Sequence, residues 1–194
     1  MRIDKPRIEP LQEEQWNDDA RAVLAPMLAG KGVNGDADVF NIFKTMVNHP
    51  DLARRWLVFG NHILGKSTLP AREREILILR IGYLCQAGYE WGQHVIIGKR
   101  SGMTVADINA CKTGPDTPGL KEADRLLLLA TDELHADAHI SDSTWEGLTA
   151  HFSTQQMMDL VFTVGQYNMV SMALNSFGVQ LDDGLPGWEI EAEA

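Results

Sequence analysis

Apolar residues recur at three- and four-residue spacing along most of this chain, and the two-residue alternation of a half-buried strand does not recur. Leu11, Trp16, Ala20, Val23, Leu24 and Leu28 predict a first helix over 11–29, bent or broken near Pro26 and ended by Gly30, Lys31 and Gly32. Phe40, Ile42, Phe43 and Met46 predict a short helix within Asp38 to Asn48, stopped ahead of Pro50, whose ring disfavours helix in the residue before it. Leu52, Trp56, Val58, Phe59, Ile63 and Leu64 give 51–65 a broad apolar face. Pro70 then occupies a first-turn position ahead of a helix over 71–86 that is apolar nearly all round after Glu75. Such a helix belongs at the centre of a fold, where Arg80 needs a carboxylate or the rim.

Helical spacing resumes from Tyr89 to Arg100, and Thr104 with Asp107 resembles a capping pair for a helix through Cys111. Residues 112–119 carry the turn residues of a loop. Beyond them the pattern predicts helices over 120–136 and 143–152. A long apolar one follows from Thr154 to Phe177, opened by a Ser153/Gln156 capping box. The expectation is an all-α, single-domain helical bundle over 1–194, with a core at about 38–112, C-terminal helices at 120–178 and a loose acidic tail at 179–194.

Composition narrows the partners. An apolar fraction of 44% argues against disorder, and 17 basic against 27 acidic side chains give a net charge of -10, which repels phosphate backbones and anionic membrane surfaces. Nucleic acid and membrane partners are therefore not expected. No apolar run reaches the ~20 residues that span a bilayer, and the first residues lack the apolar centre of a signal peptide, so a cytoplasmic protein is expected. Cys85 and Cys111, the only cysteines, form neither a disulfide framework nor a zinc pattern.

The chemistry-bearing pattern is Glu90 and His94, four apart on one helix and so on one face, among Tyr89, Trp91, Val95, Ile96 and Ile97. Ionisable groups in such apolar company shift their pKa values toward catalytic use. Periodicity does not bring Glu75 to the pair. In a straight hairpin turning near Gly88, position 80 or 82 would be level with His94, leaving Glu75 about 7–10 Å further along the axis at ~1.5 Å per residue. A crossing angle or a neighbouring subunit would have to close that gap.

The run from Leu69 through Pro70, Arg72, Arg74 and Glu75, followed by Ile78 to Arg80 and then Tyr89, Glu90, Trp91 and His94, resembles the core of the carboxymuconolactone decarboxylase family, which includes the alkyl hydroperoxidase D-like proteins. The resemblance implies a helical unit that associates into trimers, hexamers or dimers. It also implies a catalytic set of Glu75, Glu90 and His94. Where the hydroperoxidase branch has C-x-x-C-x-x-x-H, this chain has Ala87 and Glu90 at the cysteine positions, so dithiol chemistry does not carry over. Proton chemistry does: decarboxylation of a lactone acid from aromatic-compound breakdown needs a positioned acid, which His94 could be, with Glu75 or Glu90 setting its charge. Isomerisation, lactone opening and other carbon–carbon cleavage remain open to the same residues.

Trp91, Tyr167, Arg80 and Cys85 are the candidate substrate contacts. Trp91 reads more readily as core, and Arg80 as a structural ion pair with Glu75 or a neighbouring chain. Tyr167 stands with Gln166 and Asn168 as a polar interruption of an apolar helix, and buried polar groups need partners. A non-catalytic helical oligomer or small-molecule binder is the alternative, and a peroxidase using Cys85 the third reading. Two carboxylates and an imidazole can ligate a divalent ion, but nothing beyond the ligand types supports a metal. None is expected, nor any cofactor. Met157, Met158, Met169 and Met172 read as adaptable packing, in part at an interface between copies of the chain.

Overall fold

The near-continuous apolar segment after Glu75 organises the molecule. In the computed structural model, which describes residues 1–29 and 39–190, the helices are α1 (Asp18–Ala29), α2 (Asn41–Met46), α3 (Pro50–Gly65), α4 (Ala71–Leu84), α5 (Gly88–Arg100), α6 (Val105–Thr113), α7 (Glu122–Asp137), α8 (Asp142–Thr149) and α9 (Thr154–Phe177), preceded by a 3-10 turn at Glu13–Gln15. No strand occurs among the described residues, and the fold class is all-α as the periodicity predicts. Helix α4 packs against α5, α6, α7 and α9. Its Ile76, Leu77, Ile78, Leu79 and Ile81 are buried, and each contributes about 1.5–3 kcal/mol relative to an exposed position.

Local chemistry sets the helix ends. Thr104 and Asp107 exchange side-chain and backbone hydrogen bonds of 2.8 and 3.1 Å to open α6, and Ser153 and Gln156 do the same at α9. Asp107 also receives Arg72, which forks onto Asp124 at 2.8 Å through both nitrogens and so ties α4 to α6 and α7. Asp159 turns inward from α9 to accept from the Thr68 amide, the Thr68 hydroxyl and His62.

Three expectations change. The first helix is split: a 3-10 turn precedes α1, and Pro26 lies inside an unbroken α1. The Gly30 to Gly32 stop, Asp38 and the final residues 191–194 lie outside the described residues. The segment expected to be a loose tail is packed as far as 190. Val179 is buried, and the Trp188 ring packs tilted against Trp91 and edge-on to Tyr83 while its carbonyl accepts from Lys112 Nζ. Acidic composition suggested a solvated end, but the apolar residues spaced within it supply enough contact to hold it down.

Candidate functional site

The α4–α5 hairpin brings Glu75 to His94. Cys85, Gln86 and Ala87 make the turn, with Gln86 at φ 52 and the Ala87 amide bonded back to the Gly82 carbonyl at 2.9 Å. A Cβ placed on Gly82 would lie 3.5 Å from Glu90 Cγ, and one on Gly98 would lie 3.9 Å from Glu75 Cβ and 3.4 Å from Leu79 Cδ1. Position 82 therefore faces 90 and position 75 faces 98, which puts His94 opposite 78 and 79. This is the correction to the straight-hairpin expectation: the turn is centred on Gln86, two positions earlier than supposed. Glu75 is one helical turn from the level of His94, about 5 Å, within reach of two long side chains.

The contacts follow from that register. His94 Nδ1 lies 2.6 Å from Glu75 Oε2, and Nε2 lies 2.8 Å from Glu90 Oε1. Arg74 donates to Glu75 Oε1 at 3.1 Å. Glu75 is 0% exposed, and His94 and Glu90 are each 4% exposed. With both glutamates ionised, Arg74, Glu75, His94 and Glu90 form a chain of alternating charge. Burial is the largest single influence on His94 and disfavours imidazolium. The charges of Glu75 and then Glu90, with their hydrogen bonds, outweigh it and raise the pKa from 6.5 to about 10. Imidazolium is thus the resting form at neutral pH, with both nitrogens donating.

A cavity of about 310 Å³ opens onto the Glu90 end of the chain. Phe43, Trp56, Leu57, Ile97 and Val170 form its apolar wall, and Asn61, Gln93, Gln166 and Tyr167 add polar groups. Tyr167 stands edge-on to the His94 ring, centroids 4.9 Å apart. Burial, then the Glu90 and Glu75 charges, push its phenol well above the usual value, so it stays a donor. A neighbouring hollow of about 180 Å³, whose described lining residues are not ionisable, shares Ile42, Trp56 and Val170 with this cavity. The mouth is braced by Asp182, which accepts from Tyr89 at 2.5 Å, from Gln93 at 3.1 Å and from the Asn41 amide at 2.8 Å.

The other predicted contacts lie elsewhere. Arg80 is five positions from Glu75, about 140° around α4. It forks onto Asp132 at 2.6 and 2.8 Å and donates to the Cys111 and Lys112 carbonyls. Trp91 is fully buried between Tyr83 and Trp188, with Lys112 over its ring. Cys85 donates to Asn168 Oδ1 at 3.1 Å, and burial pushes its thiol pKa up. None of the three lines the cavity, whereas Tyr167 does. Among the described residues no group of three or more His, Cys, Asp or Glu side chains is arranged to hold a metal ion. The imidazole stands between the carboxylates rather than beside them. Arg74, Asp182, Trp56 and Asn61 were not singled out as site residues by the sequence.

No curated protein sequence matches the chain. Among solved structures, a peroxidase-related protein from Ralstonia eutropha JMP134, described as an alkylhydroperoxidase AhpD core, superposes with a TM-score of 0.78 at 17% identity, over 93% of this chain and 94% of that one. A peroxidase-related protein from Silicibacter sp. TM1040 gives 0.77 at 16%, over 94% and 97%. The debrominase Bmp8, in complex with 2,3,4-tribromopyrrole, gives 0.69 at 16%, over 92% and 93%. These likenesses establish an AhpD-like helical fold. No described helix is long and apolar enough to cross a membrane. Residues 50–133, the stretch that carries Glu75, Glu90 and His94, match the model of the carboxymuconolactone decarboxylase family.

Proposed function

We propose that this protein is a proton-transfer enzyme of lyase or isomerase type, acting on a small ring compound without a cofactor. The observation that carries the reading is the buried Glu75–His94–Glu90 chain that ends at the cavity. Both His94 nitrogens are engaged by carboxylates, so the group that meets a substrate is the remaining oxygen of Glu90. Glu90 takes a proton from the substrate or returns one, His94 steadies its charge and supplies the next proton, and Glu75 with Arg74 keeps the imidazole charged and oriented. Decarboxylation, the reaction in the family's name, is one member of this class. Lactone opening and double-bond migration are others. Thiol peroxidase chemistry is disfavoured, because Cys85 lies outside the cavity and its ionisation is suppressed.

The test is solvent deuterium incorporation at carbon, followed by NMR over a panel of cyclic lactones, enol lactones and ring ketones. For a substrate that exchanges, Glu90→Gln and His94→Gln lower the rate by about 10²-fold or more. Undiminished exchange in both variants would remove the proposal.

Self-association belongs to the same reading, with a trimer or hexamer ahead of a dimer. In support, Met158, Phe162, Met169 and Met172 on α9 are exposed at 58%, 55%, 49% and 60%. They flank Gly165 almost symmetrically, at four-three spacing. A helix face free of charge on a chain of net charge -10 suits a second copy of itself. Light scattering should show an oligomer that Phe162→Glu with Met169→Glu dissociates, and a monomeric parent at micromolar concentration would end this proposal.

A further inference from the structure

We propose that the cavity takes its ligand uncharged and as a hydrogen-bond donor, a single-ring compound bearing a hydroxyl or N–H group rather than a carboxylate. The inference rests on the proton-transfer reading for the reacting end of the cavity and extends it to the ligand. Among the described residues, no Lys or Arg lines the cavity. The cation among its described lining residues, imidazolium His94, has both ring nitrogens turned to Glu75 and Glu90. Arg74 is held by Glu75 behind the imidazole. An entering carboxylate would give up its hydration and meet Glu90, with no cation among the described lining residues free to receive it. The net charge of -10 on the whole chain opposes the same ligand at longer range.

A second observation concerns Gln166. This residue lines the cavity at 4% exposure, and its Oε1 is buried with no hydrogen-bond partner among the described residues. An unpaired buried acceptor costs about 1–3 kcal/mol. A ligand donor that the Gln166 amide turns to meet removes that cost, whereas a carboxylate, which only accepts, leaves it in place. Glu90 offers a further acceptor. Tyr167 and the side-chain amides supply donors as well, so it is the missing cation that tells against a carboxylate, while Glu90 and Gln166 favour a ligand that donates; the remaining wall of Phe43, Trp56, Ile97 and Val170 suits the faces of a flat ring. A reaction that begins by removing a proton from such a neutral ring, as in isomerisation or the opening of an uncharged lactone, matches these walls better than loss of CO2 from an acid anion.

The experiment is calorimetric titration of the full chain at pH 7.5 with three unreactive probes of similar size: 4-methylphenol, anisole and benzoate. The expected order is 4-methylphenol first, anisole next and benzoate last, with about tenfold or more between first and last. Gln166→Leu should bring 4-methylphenol to the level of anisole, and Glu90→Gln should improve benzoate. Benzoate binding as tightly as 4-methylphenol, or no saturable binding by any of the three, would overturn the inference. The probes carry no C–H acidic enough for Glu90 to remove, so binding is read apart from turnover. A preference for 4-methylphenol combined with Glu90-independent deuterium exchange would sink the proton-transfer reading alone. A preference for benzoate with Glu90-dependent exchange would sink only the ligand class.

Discussion

Replacing Glu75 by Gln removes one of the two charges that hold His94 protonated, and the structure sets the size of the effect. The pKa of His94 rises from 6.5 to about 10 even though burial opposes it, so the two carboxylates together supply more than this net rise of about 3.5. The Glu75 charge acts more strongly than that of Glu90. Its removal should therefore lower the midpoint by about 2 or more, to about 8 or below, a coupling of about 3 kcal/mol. Stability follows. A histidine whose folded pKa lies above its unfolded value stabilises fully below about pH 6.5, and the contribution is lost as pH rises through about 10. Between pH 8.5 and 9.5 the parent should lose about 1 kcal/mol more unfolding free energy than Glu75→Gln, in which the loss from this group is nearly complete. Long-range proton–nitrogen NMR of labelled histidine gives the midpoints, and urea unfolding at the two pH values gives the slopes. Equal midpoints in parent and variant, or a parent His94 that titrates below pH 8, would refute the reasoning.

Three further outcomes are expected. Arg80→Ala leaves Asp132 and the Cys111 and Lys112 carbonyls without their donor and should cost about 3 kcal/mol in urea unfolding, with ligand binding in the cavity unchanged. Gly92→Ala would set a Cβ 2.7 Å from the Pro186 carbonyl oxygen and 3.1 Å from Leu181 Cδ2, so the C-terminal segment should lift from α5, with a loss of about 1–3 kcal/mol and faster amide exchange over 181–188. Cys85→Ser should keep full turnover, and alkylation of the parent thiol should leave the rate unchanged once a substrate is in hand. A rate that vanishes on alkylation would move the chemistry to Cys85.

The helices were legible because their signals are local. The three- and four-residue apolar period, Pro70, and the capping pairs at Thr104 and Ser153 each act within a turn or two of chain. Glu75, Glu90 and His94 could be named as a set through resemblance, but their meeting could not be derived. The hairpin register depends on the left-handed Gln86 and on the close approach at Gly82 and Gly98, none of which periodicity encodes. Long-range partners were equally hidden. Asp132 lies 52 positions from Arg80, and Asp182 lies 93 positions from Tyr89 in a segment whose composition suggested solvent. Trp91 shows the ambiguity in its sharpest form: an aromatic beside Glu90 suits a pocket wall or a core, and only the packing of Trp188 decided for the core.

The reacting groups and much of the wall around them come from different parts of the chain. Glu75 and His94 sit on α4 and α5, whose Leu77, Leu79 and Trp91 are the heart of the core, whereas Phe43, Trp56 and the Asp182 brace come from α2, α3 and the C-terminal segment. A substitution near the proton chain therefore disturbs folding as well as chemistry, while a change at the rim can alter what enters without touching the acid–base set. On this architecture, descendants of one sequence can acquire new ligands through their peripheral helices while inheriting the catalytic hairpin intact. A laboratory search for altered selectivity should draw its library from positions 40–61 and 181–188.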